Sequence, residues 1–231
     1  MTSSMRAGVI AVAAVTLGVG LAGCSSGSKS EPTTAQDTST SATSSAAPTT
    51  SAKAQAAAPN YTIVDYIRDN NITETPVKRG DPGSPIINLP FPPGWRDAGQ
   101  ATPQWAYWAT VAEDPAMAQD PPTVIALVSK LTGNVDAAKI LEFAPGEIKN
   151  LPGYEGAESG SPSKLANFDA TQLGGTYTKD GVKRAIAQKT VVIPGQDALF
   201  VLQLNADGRE DQMRALMDAT SVIDEKTTIT F

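Results

Sequence analysis

The chain has 231 residues, 41% of them hydrophobic, with 18 Lys and Arg against 24 Asp and Glu, a single cysteine and no histidine. A net charge of −6 opposes a phosphate backbone, so no nucleic acid is expected as a partner, and a lone cysteine can form neither an internal disulfide nor a multi-cysteine metal site. The missing histidine removes Ser-His-Asp and Cys-His catalysis and the commonest zinc ligand, so no metal or cofactor is expected.

The N-terminus carries Arg6, then an uncharged run from Val9 to Leu21, then Leu21-Ala22-Gly23-Cys24. This is the pattern of a secreted leader ending in small residues before an acylated cysteine. The run is shorter than the roughly 20 residues a membrane-spanning helix needs and is rich in Gly and Ala. Residues 1–23 therefore read as a signal peptide and Cys24 as the lipidation site. A diacylglyceryl group there carries two fatty chains, enough for stable membrane residence. Cleavage removes Arg6 and leaves 17 Lys and Arg against 24 Asp and Glu, so electrostatics add nothing to attachment to anionic lipid. The expectation is a protein moored by its N-terminal lipid to the outer face of the cell membrane.

Residues 24–59 begin with that cysteine and continue as a tether. Of the 35 residues from Ser25 to Pro59, 16 are Ser or Thr, four are charged and none is aromatic, a composition that cannot bury enough apolar surface to offset ordering. As a flexible coil it spans roughly 30 to 35 Å. Ser/Thr-rich linkers with proline are also O-glycosylation substrates.

At Asn60 the composition shifts, and residues 60–231 are enough for one folded domain with a substantial core. Thr62-Ile63-Val64-Asp65 is a capping box, predicting a short helix through about Asn70 with Ile63, Tyr66 and Ile67 inward. Pro85 to Pro90 reads as a short strand closed by a turn at Pro92-Pro93-Gly94-Trp95. Thr123 to Leu131 is β-branched enough for a buried strand, and Asp136 to Phe143 for a helix that breaks at Pro145, which opens a second short helix to Asn150. Lys179-Asp180-Gly181 predicts a tight hairpin turn between strands near Ala170–Thr178 and Val182–Ile193. Ala198 to Leu204 is apolar almost throughout, the mark of a strand buried on both faces. Helices must then cover the sheet. The last is expected from Arg209 to Asp224, capped by Asp207, with Met213, Leu216, Met217 and Thr220 on one stripe. Together these elements predict an α/β fold, α+β by connectivity.

Catalytic motifs are missing. The one G-x-S-x-G string, Gly23 to Gly27, straddles the leader cleavage point, and no P-loop or G-x-G-x-x-G is present. The domain's 22 acidic residues are too many for spacing to single out an acid/base pair, and the chain reads as a non-enzyme. Trp105-Ala106-Tyr107-Trp108, taken as a strand, puts Trp105 and Tyr107 on one face and Trp108 on the other. Core packing explains such rings; an aromatic wall for an apolar chain or a sugar ring is the alternative, making Trp105, Tyr107 and Trp108 the candidate binding residues. Met213 and Met217 carry the same pair of readings, core filler or adaptable binding surface, with core filler favoured.

The lipobox and Ser/Thr tether, Pro59-Asn60-Tyr61-Thr62-Ile63, Asp65-Tyr66-Ile67-Arg68-Asp69-Asn70, Phe143-Ala144-Pro145-Gly146-Glu147, Lys149-Asn150-Leu151-Pro152-Gly153 and Phe200-Val201-Leu202-Gln203-Leu204-Asn205-Ala206 resemble the LpqN/LpqT family of actinobacterial lipoproteins. The resemblance implies a Mog1/PsbP-like α/β/α sandwich with a mainly antiparallel sheet. It also implies a non-enzymatic part in handling mycolate-type envelope lipids or glycolipids alongside an MmpL-type transporter. Only the acylated cysteine transfers, to Cys24. Docking of a bacterial or host protein without a small ligand is the competing expectation.

Overall fold

The computed structural model describes residues 60–231. The leader, Cys24 and the tether lie outside the described residues.

Helix α1 (Ile63–Asp69) starts at the expected capping box: the Asp65 N–H donates to Thr62 Oγ1 while Asp65 Oδ2 accepts from the Thr62 N–H at 3.0 Å. The Thr62 hydroxyl and backbone hold the Asp65 carboxyl below the usual carboxylate range. Strands β1 (Thr73–Pro76), β2 (Ile86–Asn88), β3 (Trp95–Asp97), β4 (Trp108–Ala112) and β5 (Thr123–Thr132) follow. The turn before β3 is of type II form, with Gly94 at φ 76° and the Trp95 N–H donating to the Pro92 carbonyl. Helix α2 (Ala137–Phe143) ends as expected where Pro145, which lacks an N–H, opens helix α3 (Pro145–Lys149).

Strands β6 (Glu155–Gly156) and β7 (Ser161–Leu165) lead to a long hairpin of β8 (Phe168–Lys179) and β9 (Val182–Pro194). Asp180 and Gly181 both take positive φ, 51° and 78°, the type I′ geometry that twists with the strands. Strand β10 (Leu199–Arg209), helix α4 (Met213–Lys226) and strand β11 (Thr228–Thr230) complete the chain.

Nine strands form one sheet, β3-β4-β5-β10-β9-β8-β6, with β1 also paired to β5 and β7 to β8; β2 and β11 form a separate ribbon. Every pairing among the described residues is antiparallel. Strand β10 lies at the centre and is buried on both faces, as its sequence predicts. Leu202, Leu204 and Ala206 point into the core beneath α4, and Val201 into the core beneath α1 and α2 with Ile63, Tyr66, Leu131, Ile140 and Val192. The result is an α+β fold with helices on both faces of an antiparallel sheet.

Three expectations fail for identifiable reasons. Asp207 does not cap α4, because β10 runs on to Arg209 and the Asp207 carboxylate is taken by the Tyr177 hydroxyl at 2.6 Å and by Arg184. Helix α4 starts later, at Met213, after a 3-10 turn in which Gln212 Oε1 accepts the Arg209 N–H. Trp105 and Tyr107 do not alternate on a strand, since a turn that brings the Ala106 N–H to the Pro103 carbonyl delays β4 until Trp108. Met213 and Met217 are not core filler: they are 37% and 61% exposed, while Leu216, Ala219 and Ile223 form the buried face of α4.

Candidate functional site

A helix is about 10 Å across and strands lie about 4.8 Å apart, so one helix shields roughly two strands. Helix α4 packs on β10 and β5. The adjoining floor of β9 and β8 is left open beneath its flank, and its residues are small: Gly174 of β8 lies opposite Ala187 of β9. A β-carbon at Gly174 would meet only ordinary contacts, Ile186 O at 3.4 Å and Ala187 Cβ at 3.7 Å.

The outcome is a groove in two joined parts, of about 440 and 250 Å³, that share Gly174, Ala187, Met217 and Thr220. The smaller part reaches Met213 and Ala185, and the larger reaches Asp224 and Lys189. Along α4 the distance from residue 213 to 224 is about 16 Å at 1.5 Å per residue. Polarity changes along that length. The Met213 end is lined by Ala185, Ile186 and Leu216, whereas the far end carries Gln172, Ser221 and the ion pair from Lys189 Nζ to Asp224 Oδ2 at 2.6 Å. The Lys189 side chain rises from the sheet and is only 10% exposed. Ala157 and Ser161, at either end of the connection from β6 to β7, border the larger part on the β8 side.

The start of α4 is fixed from two directions. Gln212 Nε2 donates to the Asp120 carbonyl at 2.8 Å, and the Asp120 carboxylate accepts from Arg184 Nη1 at 2.6 Å. Burial works against the Arg184 cation, but its bonds to Asp207 and Asp120 outweigh that and raise its pKa. Desolvation and the Asp207 carboxylate push the Tyr177 hydroxyl up to about 12. Gly208 lets β10 pass close under the helix, since a β-carbon there would meet Pro122 at 2.8 Å and Gln212 Oε1 at 2.9 Å.

On the opposite face, α3 turns Glu147 inward, where Oε2 accepts from Gln203 Nε2 at 3.0 Å and Gln188 Nε2 at 3.2 Å. Burial raises the Glu147 pKa against the pull of those amides, and Glu74 adds to the rise.

None of the three candidate aromatics borders the groove. Tyr107 and Trp108 belong to the core beneath α4, Trp108 stacked on Phe91 at 5.4 Å, and Trp105 is half exposed in the preceding turn. The groove residues instead come from the stripe on α4. That stripe is wider than the helix's core contact, so its flank, Met213, Met217 and Thr220, borders open space. The small floor residues gave no sequence signal of their own.

Comparison with known proteins agrees along the whole domain. The family model described as "Probable lipoprotein LpqN" matches residues 59–230. Lipoprotein LpqN of Mycobacterium tuberculosis is 57% identical over 222 residues, covering 95% of this chain and 97% of that protein. A crystal structure of LpqN from the same organism, described as involved in cell envelope biogenesis, superposes with a TM-score of 0.71 at 58% identity, over 75% of this chain and 99% of that one. The chain belongs to the LpqN lipoprotein family.

Proposed function

We propose that this protein is a membrane-anchored, extracytoplasmic carrier that holds an envelope lipid or glycolipid in the groove beside α4 and performs no chemistry on it. The observation that carries this reading is the groove's graded polarity: an apolar trough with small floor residues ends at one ion pair and a few free hydrogen-bonding groups. Such a shape suits an amphiphile, its chain along the sheet and its head at Lys189 and Asp224. The acid and the base in the groove neutralise each other, which suits holding better than proton transfer. The family's name as a lipoprotein and its relative's link to envelope biogenesis support the same setting. Among the described residues no helix is long and apolar enough to cross a membrane; in this reading the anchor is the lipid on Cys24, whose place after Leu21-Ala22-Gly23 supports it. An MmpL-type transporter within reach of the tether is the proposed recipient of a mycolate-type cargo.

The test uses residues 24–231 with Cys24→Ser, so that the protein's own acyl chains cannot compete. Titration with N-phenyl-1-naphthylamine and a long-chain alkyl glycoside should show saturable, mutually exclusive binding. Ala187→Leu and Gly174→Val, which fill the shared waist, should weaken it at least about tenfold, the factor lost with one good apolar contact. A chain that stays empty, yet crosslinks to one consistent protein in membranes, overturns the carrier reading in favour of a docking module. For the anchor, native Cys24 should incorporate labelled palmitate and Cys24→Ala should not.

A further inference from the structure

The two exposed methionines of α4 sit one turn apart on the lip of the groove. Met213 lines the smaller part and Met217 lines both. Met217 is the more exposed, at 61% against 37% for Met213, and Met117, beyond the other flank of α4, is more covered than either. Methionine is common in cores because it packs adaptably, but here the buried positions of the helix go to Leu216, Ala219 and Ile223, and the thioethers face outward. A thioether is apolar and polarisable, whereas its sulfoxide is polar and rigidly pyramidal. Around Met217 the smaller part of the groove offers Gly174, Ala187 and Leu216, none with a side-chain donor, and the neighbouring Thr220 hydroxyl is already turned back to the Leu216 and Met217 carbonyls; the donors Gln172, Ser221 and Lys189 line the larger part, towards the polar end.

We infer that Met217 is an oxidation site that switches the groove from lipid-holding to lipid-releasing. The reagent is a peroxide. One oxygen passes from hydrogen peroxide to the Met217 sulfur, which gives up two electrons and becomes a sulfoxide, while the peroxide's other oxygen leaves as water. The new S–O dipole then lies at the waist shared by both parts of the groove, where an alkyl chain must pass along an apolar floor of Gly174 and Ala187. This rests on the carrier reading above.

The experiment again uses residues 24–231 with Cys24→Ser, treated with hydrogen peroxide and followed by peptide mass mapping and N-phenyl-1-naphthylamine titration. Met217 should gain one oxygen several-fold faster than Met117, and probe affinity should fall about tenfold as it does so. Met217→Leu should keep its affinity through the same treatment, and Met217→Gln should start weak without any oxidant. Met117 oxidising as fast as Met217, or affinity surviving full oxidation of Met217, overturns the switch and leaves the carrier reading standing. Untreated protein that takes no probe overturns both.

Discussion

Gly146 lies directly beneath the Tyr61 carbonyl: a β-carbon on it would come within 2.1 Å of that oxygen. The first described residues are therefore laid across α3 at backbone contact. Next to that contact, the Asn60 N–H and side-chain amide both donate to Asn150 Oδ1, and the Asn150 amide donates back to the Asn60 carbonyl at 2.9 Å. The entry point of the chain is thus fastened to the face opposite the groove. Gly146→Ala should cost about 1–3 kcal/mol, because neither backbone can move without lifting α1 or α3. Asn150→Ala should cost about 1 kcal/mol. Urea unfolding of both variants checks the order.

Arg184 binds Asp120 and Asp207 with a side chain only 12% exposed. Breaking such a pair from the cationic side leaves two carboxylates facing each other with Tyr177, so Arg184→Met should lose about 3 kcal/mol. Tyr177→Phe removes one hydrogen bond and should lose about 1 kcal/mol. Because both variants act on Asp207, the double variant should lose measurably less than their sum, which a double-mutant cycle in urea would show.

Much of this architecture is legible from local chemistry. The Thr62–Asp65 box, the Asp180-Gly181 turn and the Pro145 break each depend on residues close in sequence, and each forms as the sequence predicts. Strand β10 was readable because its burial needs apolar residues on both faces. What failed depends on distant partners. Asp207 is a good N-cap by type, but Arg184 and Tyr177, 23 and 30 residues away, claim it. Strands β6 and β7 carry few apolar residues because they are exposed edges held by backbone pairing to β8. The groove was invisible for the same reason. It is a space left where one helix covers too few strands, and no single residue announces it.

Glu147 should make stability depend on pH. Its folded-state pKa lies above the ordinary glutamate value of about 4.3, chiefly through burial. Its stabilising contribution is then fully present below the unfolded-state pKa and is lost as pH rises through the raised, folded-state value. Glu147→Gln keeps an oxygen for the Gln188 and Gln203 amides without a buried charge. The variant should melt about 2–4 °C higher than the native chain near neutrality, a gain of about 1 kcal/mol for a domain of this size, with the gap closing towards pH 4. Calorimetry across that range is the measurement, and a gap that widens on acidification contradicts the assignment.

The Lys189–Asp224 pair is asymmetric, since the lysine side chain is 10% exposed and the aspartate 40%. Its two halves should therefore fail differently. Lys189→Met keeps the apolar stem beside Val191 and leaves Asp224 in contact with water, so the loss should be at most about 1 kcal/mol. Asp224→Asn strands an ammonium group against the sheet with no anion, and should cost about 2–3 kcal/mol. Combining the two removes the stranded charge, so the double variant should be more stable than Asp224→Asn alone. Urea midpoints for the three chains decide this, and equal losses from the two single changes would mean that water reaches Lys189 as freely as it reaches Asp224.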